Sequence, residues 1–198
     1  MTIDRSRDAL VVVDVQNDFC PGGALGVPGG DEIVPVCNRY IDLFRKGGGR
    51  VFLSRDWHPA ETTHFKAYGG VWPPHCVQGT SGAAFHADLA APPDAVVVSK
   101  GMDPREDAYS AFQARDGRGT PFATLIRKLG VRRLYVAGLA TDYCVKATTL
   151  DALREGFEVV VLADAIRAVD LASGDGERAV AEMCQAGARF TTLAAAAA

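Results

Sequence analysis

The sequence predicts an α/β fold in three layers, α/β/α, with a parallel sheet between helices. Three observations carry this. Short β-branched runs alternate with longer stretches of helical period. The runs are continuously apolar, as in strands buried on both faces. Several helical stretches stop at glycine, where the chain turns back toward the next strand.

Each element follows in order. Ala9-Leu10-Val11-Val12-Val13-Asp14 reads as the first strand, with a carboxylate at its end. Glycines and prolines from Pro21 to Gly30 make a loop. Asp31 to Lys46 has apolar residues at helical spacing (Ile33, Val36, Cys37, Tyr40, Leu43, Phe44) and stops at Gly47-Gly48-Gly49. Arg50 to Arg55 is a second strand with Asp56 at its end, and 57 to 93 is a long irregular region, a pattern that is usually functional inside a domain. Ala95 to Ser99 is a third strand ending at Lys100-Gly101. After a loop with a short helix near Tyr109 to Ala114, a helix runs from Thr120 as N-cap, with Pro121 in its first position, to Gly130. A strand over Arg133 to Gly138, a helix over Thr141 to Glu155, a strand over Phe157 to Leu162, a helix over Asp175 to Ala186 and a short sixth strand over Ala188 to Leu193 complete the chain.

At 198 residues a single domain is expected over 1–198, with its core at about 8–193 and no role for the Ala194–Ala198 tail. A net charge of -3 argues against a general nucleic-acid binder, because no basic excess is present to neutralise phosphates. No apolar run reaches membrane-spanning length and the N-terminus lacks a signal-peptide pattern, so neither nucleic acid nor membrane is expected as a partner, and the cytoplasm is the default location. A homo-oligomer is left open. Five cysteines at irregular spacing, without a C-x-x-C, argue against a disulfide framework.

Three of the four histidines, His58, His64 and His75, lie close behind Asp56. Imidazoles with one carboxylate suit a divalent ion that keeps open positions, and the two-residue spacing of Asp56 and His58 puts both on one side of an extended segment. The remaining histidine, His86, reads as structural. In an open parallel sheet, ligands bind beyond the carboxyl ends of the strands. Asp14, Asp56 and Lys100 stand at such ends, and Cys144 opens the helix after the fourth strand. A helix N-terminus stabilises a thiolate and offers free N–H groups to an oxyanion. Asp14 could take the thiol proton and Lys100 could hold both groups charged. Singly, each has a plainer reading: a packed cysteine, a loop-capping carboxylate, a solvated lysine. Phe19, Trp72 and Tyr109 flank these groups and would suit a flat ring.

The segments Asp14-Val15-Gln16-Asn17-Asp18-Phe19, Asp56-Trp57-His58, Trp72-Pro73-Pro74-His75-Cys76-Val77, Gly79-Thr80, Ser99-Lys100-Gly101 and Gly138-Leu139-Ala140-Thr141-Asp142-Tyr143-Cys144-Val145 together resemble the nicotinamidase (pyrazinamidase) branch of the isochorismatase-like hydrolases, co-linearly over residues 8 to 193. The resemblance implies a six-stranded parallel sheet and a catalytic acid, lysine and cysteine at Asp14, Lys100 and Cys144. It implies metal ligands at Asp56, His58 and His75, with His64 either a further ligand or a neighbour of the ligands. It places a cis peptide between Leu139 and Ala140, and an oxyanion hole on the backbone N–H groups of Ala140 and Cys144. Phe19, Trp72, Tyr109 and Gln16 are expected at the substrate. Tyr143 departs from the histidine that some relatives carry beside the nucleophile. The implied reaction is hydrolysis of nicotinamide, and of pyrazinamide, to the acid and ammonia through a thioester, with one divalent ion: Zn2+, with Fe2+ and Mn2+ as alternatives. The rival readings are another cysteine hydrolase of the same superfamily (N-carbamoylsarcosine- or ureidoacrylate-type) and a non-catalytic metal-binding module.

Overall fold

The computed structural model describes residues 2–197; Met1 and Ala198, both inside the expected domain, lie outside the described residues. The strands are β1 (Asp8–Val13), β2 (Arg50–Asp56), β3 (Val96–Lys100), β4 (Arg115–Asp116), β5 (Arg133–Leu139), β6 (Glu158–Arg167) and β7 (Arg189–Thr191). The helices are α1 (Val34–Lys46), α2 (Phe122–Lys128), α3 (Lys146–Arg154), α4 (Asp175–Gln185) and α5 (Leu193–Ala197). The strand order is β4-β3-β2-β1-β5-β6-β7. Six strands are parallel; the two-residue β4 pairs antiparallel with β3 and brings the sheet to seven.

β1 is buried along its whole length, and its side chains alternate between two cores. Leu10 and Val12 pack with Cys37, Tyr40, Ile41 and Phe44 of α1 on one face. Ala9, Val11 and Val13 pack with Phe122 and Ile126 of α2, Ala152 of α3 and Met183 of α4 on the other. Because both faces are covered, Ala9–Val13 carries no polar residue. At the amino end, buried Asp8 accepts a two-pronged bond from Arg133 at 2.9 and 2.7 Å, fixing β1 against β5.

Several expected boundaries shift for identifiable reasons. Thr120 is not the cap of α2. Its N–H donates to the Asp116 carboxylate and its carbonyl accepts from the Asp116 N–H, so the turn after β4 uses it and Pro121 becomes the N-cap. The short helix near Tyr109 is a 3-10 turn, Ala111–Gln113, closed by a Ser110–Gln113 capping box. The stretch before α1 is 3-10 over Gly30–Ile33. The helix expected over 141–155 opens with a π-helical turn, Thr141–Val145, before α3. β6 runs on to Arg167 because a register shift lets Gly138 and Leu139 pair with Ile166 and Arg167. Leu193, expected at the end of the sixth strand, instead opens the helix Leu193–Ala197, whose remaining residues belong to the tail given no role; the strand itself is confined to Arg189–Thr191. Among the described residues, no helix is long and apolar enough to cross a membrane.

The chain winds from β1 through β2 to β3 on one side, then returns through β5, β6 and β7 on the other. The reversal opens a crevice beyond the carboxyl ends of β1 and β5. Gly138 is essential there: its φ is +116, and a Cβ would stand 2.0 Å from the Val13 carbonyl oxygen. Gly138→Ala is expected to cost about 3 kcal/mol or more of stability. Urea unfolding measures it, and a loss below about 1 kcal/mol would contradict this account of the β1–β5 seam.

Candidate active site and metal centre

Three neighbouring strands deliver the charged groups. Asp14 follows β1 at φ +50, a left-handed conformation that aspartate tolerates better than most residues. Its Oδ1 accepts from the Ser54 hydroxyl at 2.7 Å. Asp56 and Lys100 end β2 and β3 as register partners. The Lys100 ammonium lies 2.9 Å from Asp14 Oδ2, donates to Asp56 Oδ1, and stands 3.5 Å from Cys144 Sγ. All four residues are buried. Asp14, Asp56 and Cys144 each place an atom within 4.8 Å of the others.

Burial sets the electrostatics. It pushes the Asp14 carboxyl upward, helped by the Asp56 charge and opposed by Lys100. Burial alone would lower Lys100, but Asp14 and Asp56 outweigh it and hold the ammonium well above its ordinary value. Burial would raise Asp56, but Lys100 and the His58 contact outweigh it and keep the carboxylate ionised. The Cys144 thiol is pushed well above its usual range by burial, with Lys100 pulling the other way. Against the expectation that Lys100 holds it charged, the thiol therefore rests protonated and needs a base, and Asp14 is the neighbour whose carboxyl has been shifted toward that task. Cys20 and Cys37 are pushed up to about 11 and about 12, also by burial, without a lysine partner at the thiol.

Each histidine behind Asp56 spends its Nδ1–H on an oxygen. His58 donates to the Gly101 carbonyl at 3.1 Å, His75 to the Pro73 carbonyl at 2.8 Å and His64 to the Asp107 carboxylate at 2.5 Å. That fixes the tautomers and leaves the Nε2 lone pairs free. The three imidazoles each offer a nitrogen within 4.8 Å of the others. Asp56 Oδ2 lies 3.7 Å from His58 Nε2 and 4.0 Å from His75 Nε2. The His58 Nε2 is fully buried without a hydrogen-bond partner. A buried, unpartnered nitrogen facing a carboxylate and two further imidazoles is what a divalent ion would satisfy, so the donor set fits a metal. Burial also depresses His75 to about 4 and lowers His64, which keeps both imidazoles neutral and able to ligate.

Asp56, His64, His75, Ala140 and Cys144 all line one narrow cavity, walled by Phe19, Trp72, Tyr109 and Tyr143. The Trp72 indole N–H donates to the Tyr109 hydroxyl at 2.9 Å, and Trp72 meets Tyr143 edge-on at 5.2 Å between centroids. Phe19 lies 5.6 Å from the His75 ring. The Leu139–Ala140 peptide is cis. Gln16, expected at the substrate, does not reach this cavity. It is fully buried, its Nε2 donates to the carbonyls of Asp56 and Ala83 and its Oε1 accepts from the Asp56 N–H, so both ends of its amide are consumed in fixing the backbone of Asp56. Ser54 and Asp107 carry no signal in the sequence, because their partners lie about forty residues away and only the fold brings them together.

Gly101 stands against this centre at φ +66, and a Cβ there would meet the His58 ring at 2.4 Å. Gly101→Ala is expected to weaken divalent-metal affinity about 10–100-fold by displacing His58. Competition with a chelating dye reads this, and unchanged affinity would count against His58 as a ligand.

A model of the isochorismatase domain matches residues 8–195. The nicotinamidase of Escherichia coli (strain K12) is 44% identical over 202 residues, covering 94% of this chain and 95% of that protein. The crystal structure of the pyrazinamidase of Pyrococcus horikoshii in complex with zinc superposes with a TM-score of 0.87 at 48% identity, over 94% of this chain and 99% of that one. An L. infantum protein in complex with nicotinate gives a TM-score of 0.87 at 37% identity, over 98% and 97%.

Proposed function

The chain belongs to the isochorismatase family, and we propose that within it this protein is a nicotinamidase, hydrolysing nicotinamide, and pyrazinamide with it, to the carboxylic acid and ammonia. The observation that carries the reading is that one aromatic-walled cavity exposes the Cys144 thiol, with Lys100 and Asp14 behind it, together with Asp56, His64 and His75 of the carboxylate–histidine centre. The relatives that act on nicotinamide, and the neighbours solved with zinc and with nicotinate, support it.

In the proposed reaction the pyridine ring lies between Phe19, Trp72, Tyr109 and Tyr143, with its carboxamide toward Cys144. Asp14 takes the Cys144 proton as the sulfur attacks the carboxamide carbon. The backbone N–H groups of Ala140 and Cys144 bind the developing oxyanion. As the C–N bond breaks, Asp14 returns its proton to the departing ammonia, leaving a thioester on Cys144. Asp14 then deprotonates a water molecule, which attacks the same carbon. The C–S bond breaks and Cys144 regains its proton. Lys100 neutralises Asp14 and steadies the negative charge that moves between oxygen and sulfur. Asp56, His58, His64 and His75 would hold a divalent ion, zinc by preference, that supplies a Lewis-acid contact to the pyridine nitrogen, directly or through its water. Such a contact would orient the ring, while the bond-making stays with the thiol.

Cys144→Ala and Asp14→Asn are each expected to lower ammonia release from nicotinamide by about 1000-fold or more, with the thermal unfolding transition retained. Near wild-type release in Cys144→Ala would remove the nucleophile assignment. Chelation is expected to lower nicotinamide turnover and Zn2+ to restore it; full activity in protein that elemental analysis finds free of metal would overturn the centre's role. Turnover of a carbamoyl substrate with none of nicotinamide would favour the N-carbamoylsarcosine-type rival.

A further inference from the structure

The loop between β6 and α4 contributes Val169 to the wall of the cavity. Within the loop, Val169-Asp170-Leu171-Ala172-Ser173-Gly174, Val169 packs against the hydrophobic core. Leu171 is 66% exposed, and Asp170 sits at φ +52. The tether comes from Asp142, two residues before Cys144 in the π-helical turn. Asp142 is buried, and its two carboxylate oxygens accept from the N–H groups of Val169 and Asp170 at 3.0 and 2.9 Å. Two further carboxylates fasten the loop to the start of α4: Asp170 accepts from the Gly176 N–H at 2.7 Å, and Asp175 from the Ala172 N–H at 2.8 Å. The turn that presents the thiol and the loop that carries Val169 are thus joined through one side chain.

We infer that Asp142 is a positioning residue for substrate: it holds the 169–174 loop in place through the Val169 and Asp170 N–H groups, so that Val169 stays in the cavity wall against the ring. The inference rests on the nicotinamide reading for its substrate and on the hydrogen bonds alone for the tether. Bonds to a charged acceptor are stronger than neutral ones, and a carboxylate that takes one N–H on each oxygen fixes both the position and the direction of the peptide it holds. Asp142 does not line the cavity, so it acts through Val169.

Two measurements test this. In Asp142→Asn, which keeps the shape and removes the charge, hydrogen exchange at the amides of Val169 and Asp170 is expected to speed up at least tenfold; unchanged exchange there would overturn the tether, whatever the substrate. In steady-state kinetics, Asp142→Asn and Val169→Ala are each expected to raise the nicotinamide KM about fivefold with kcat changed less than about threefold, the signature of lost binding rather than lost chemistry. The double variant is expected to be no worse than about twofold beyond the worse single one, because both changes remove the same contact. Multiplying KM effects would overturn the route through Val169. A kcat fall at unchanged KM would assign Asp142 to the chemistry of the turn instead. Faster exchange in a protein that turns over no nicotinamide would leave the tether standing and refute the substrate reading.

Discussion

A single buried ammonium holds the site together. Lys100 lies between Asp14 and Asp56, both fully inside the protein, and within 3.5 Å of the Cys144 sulfur. Two carboxylates at such range cannot both stay ionised without a cation, because the first charge raises the pKa of the second. Lys100 makes the arrangement possible, and it is itself kept charged by the same two partners. Removing one member of a buried set of this kind leaves an uncompensated charge, which costs about 3–5 kcal/mol. The sheet register supplies the geometry: Asp56 and Lys100 are paired across β2 and β3, and Asp14 follows the next strand.

Asp56 divides its two oxygens between two tasks. Oδ1 accepts from Lys100, while Oδ2 faces His58 and His75. One carboxylate therefore joins the thiol half of the site to the metal half, and the Gln16 amide clamps its backbone from both sides. Such a link ties ring anchor and nucleophile to one strand end, and reacting groups gain most from being held at fixed separation. The aromatic wall then needs only to keep the ring flat and exclude water.

Much of this was legible in the sequence because the fold rule converts position into proximity. Asp14, Asp56 and Lys100 stand at the ends of apolar runs, and a doubly wound sheet gathers such ends into one crevice. The clustering of His58, His64 and His75 was equally visible. What was hidden depends on contacts without local signature. Gln16 carries the look of a polar residue near a site, yet long-range backbone groups consume its amide. The Asp142 tether joins residues 27 and 28 positions apart through an irregular loop. The π-helical turn at Thr141–Val145 has the composition of an ordinary helix start, and the two-residue β4 is too short to leave any pattern.

The central claim is that carbon–nitrogen cleavage passes through the Cys144 sulfur while the histidine centre only holds the ring. Acid-quenching the enzyme during nicotinamide turnover, followed by peptide mass spectrometry, tests this most directly. The account predicts a nicotinoyl group on the peptide containing Cys144 and on no other cysteine. Steady ammonia release with no acyl group trapped on Cys144, under quench conditions shown to preserve a thioester, would contradict it and move the attacking group to the metal centre.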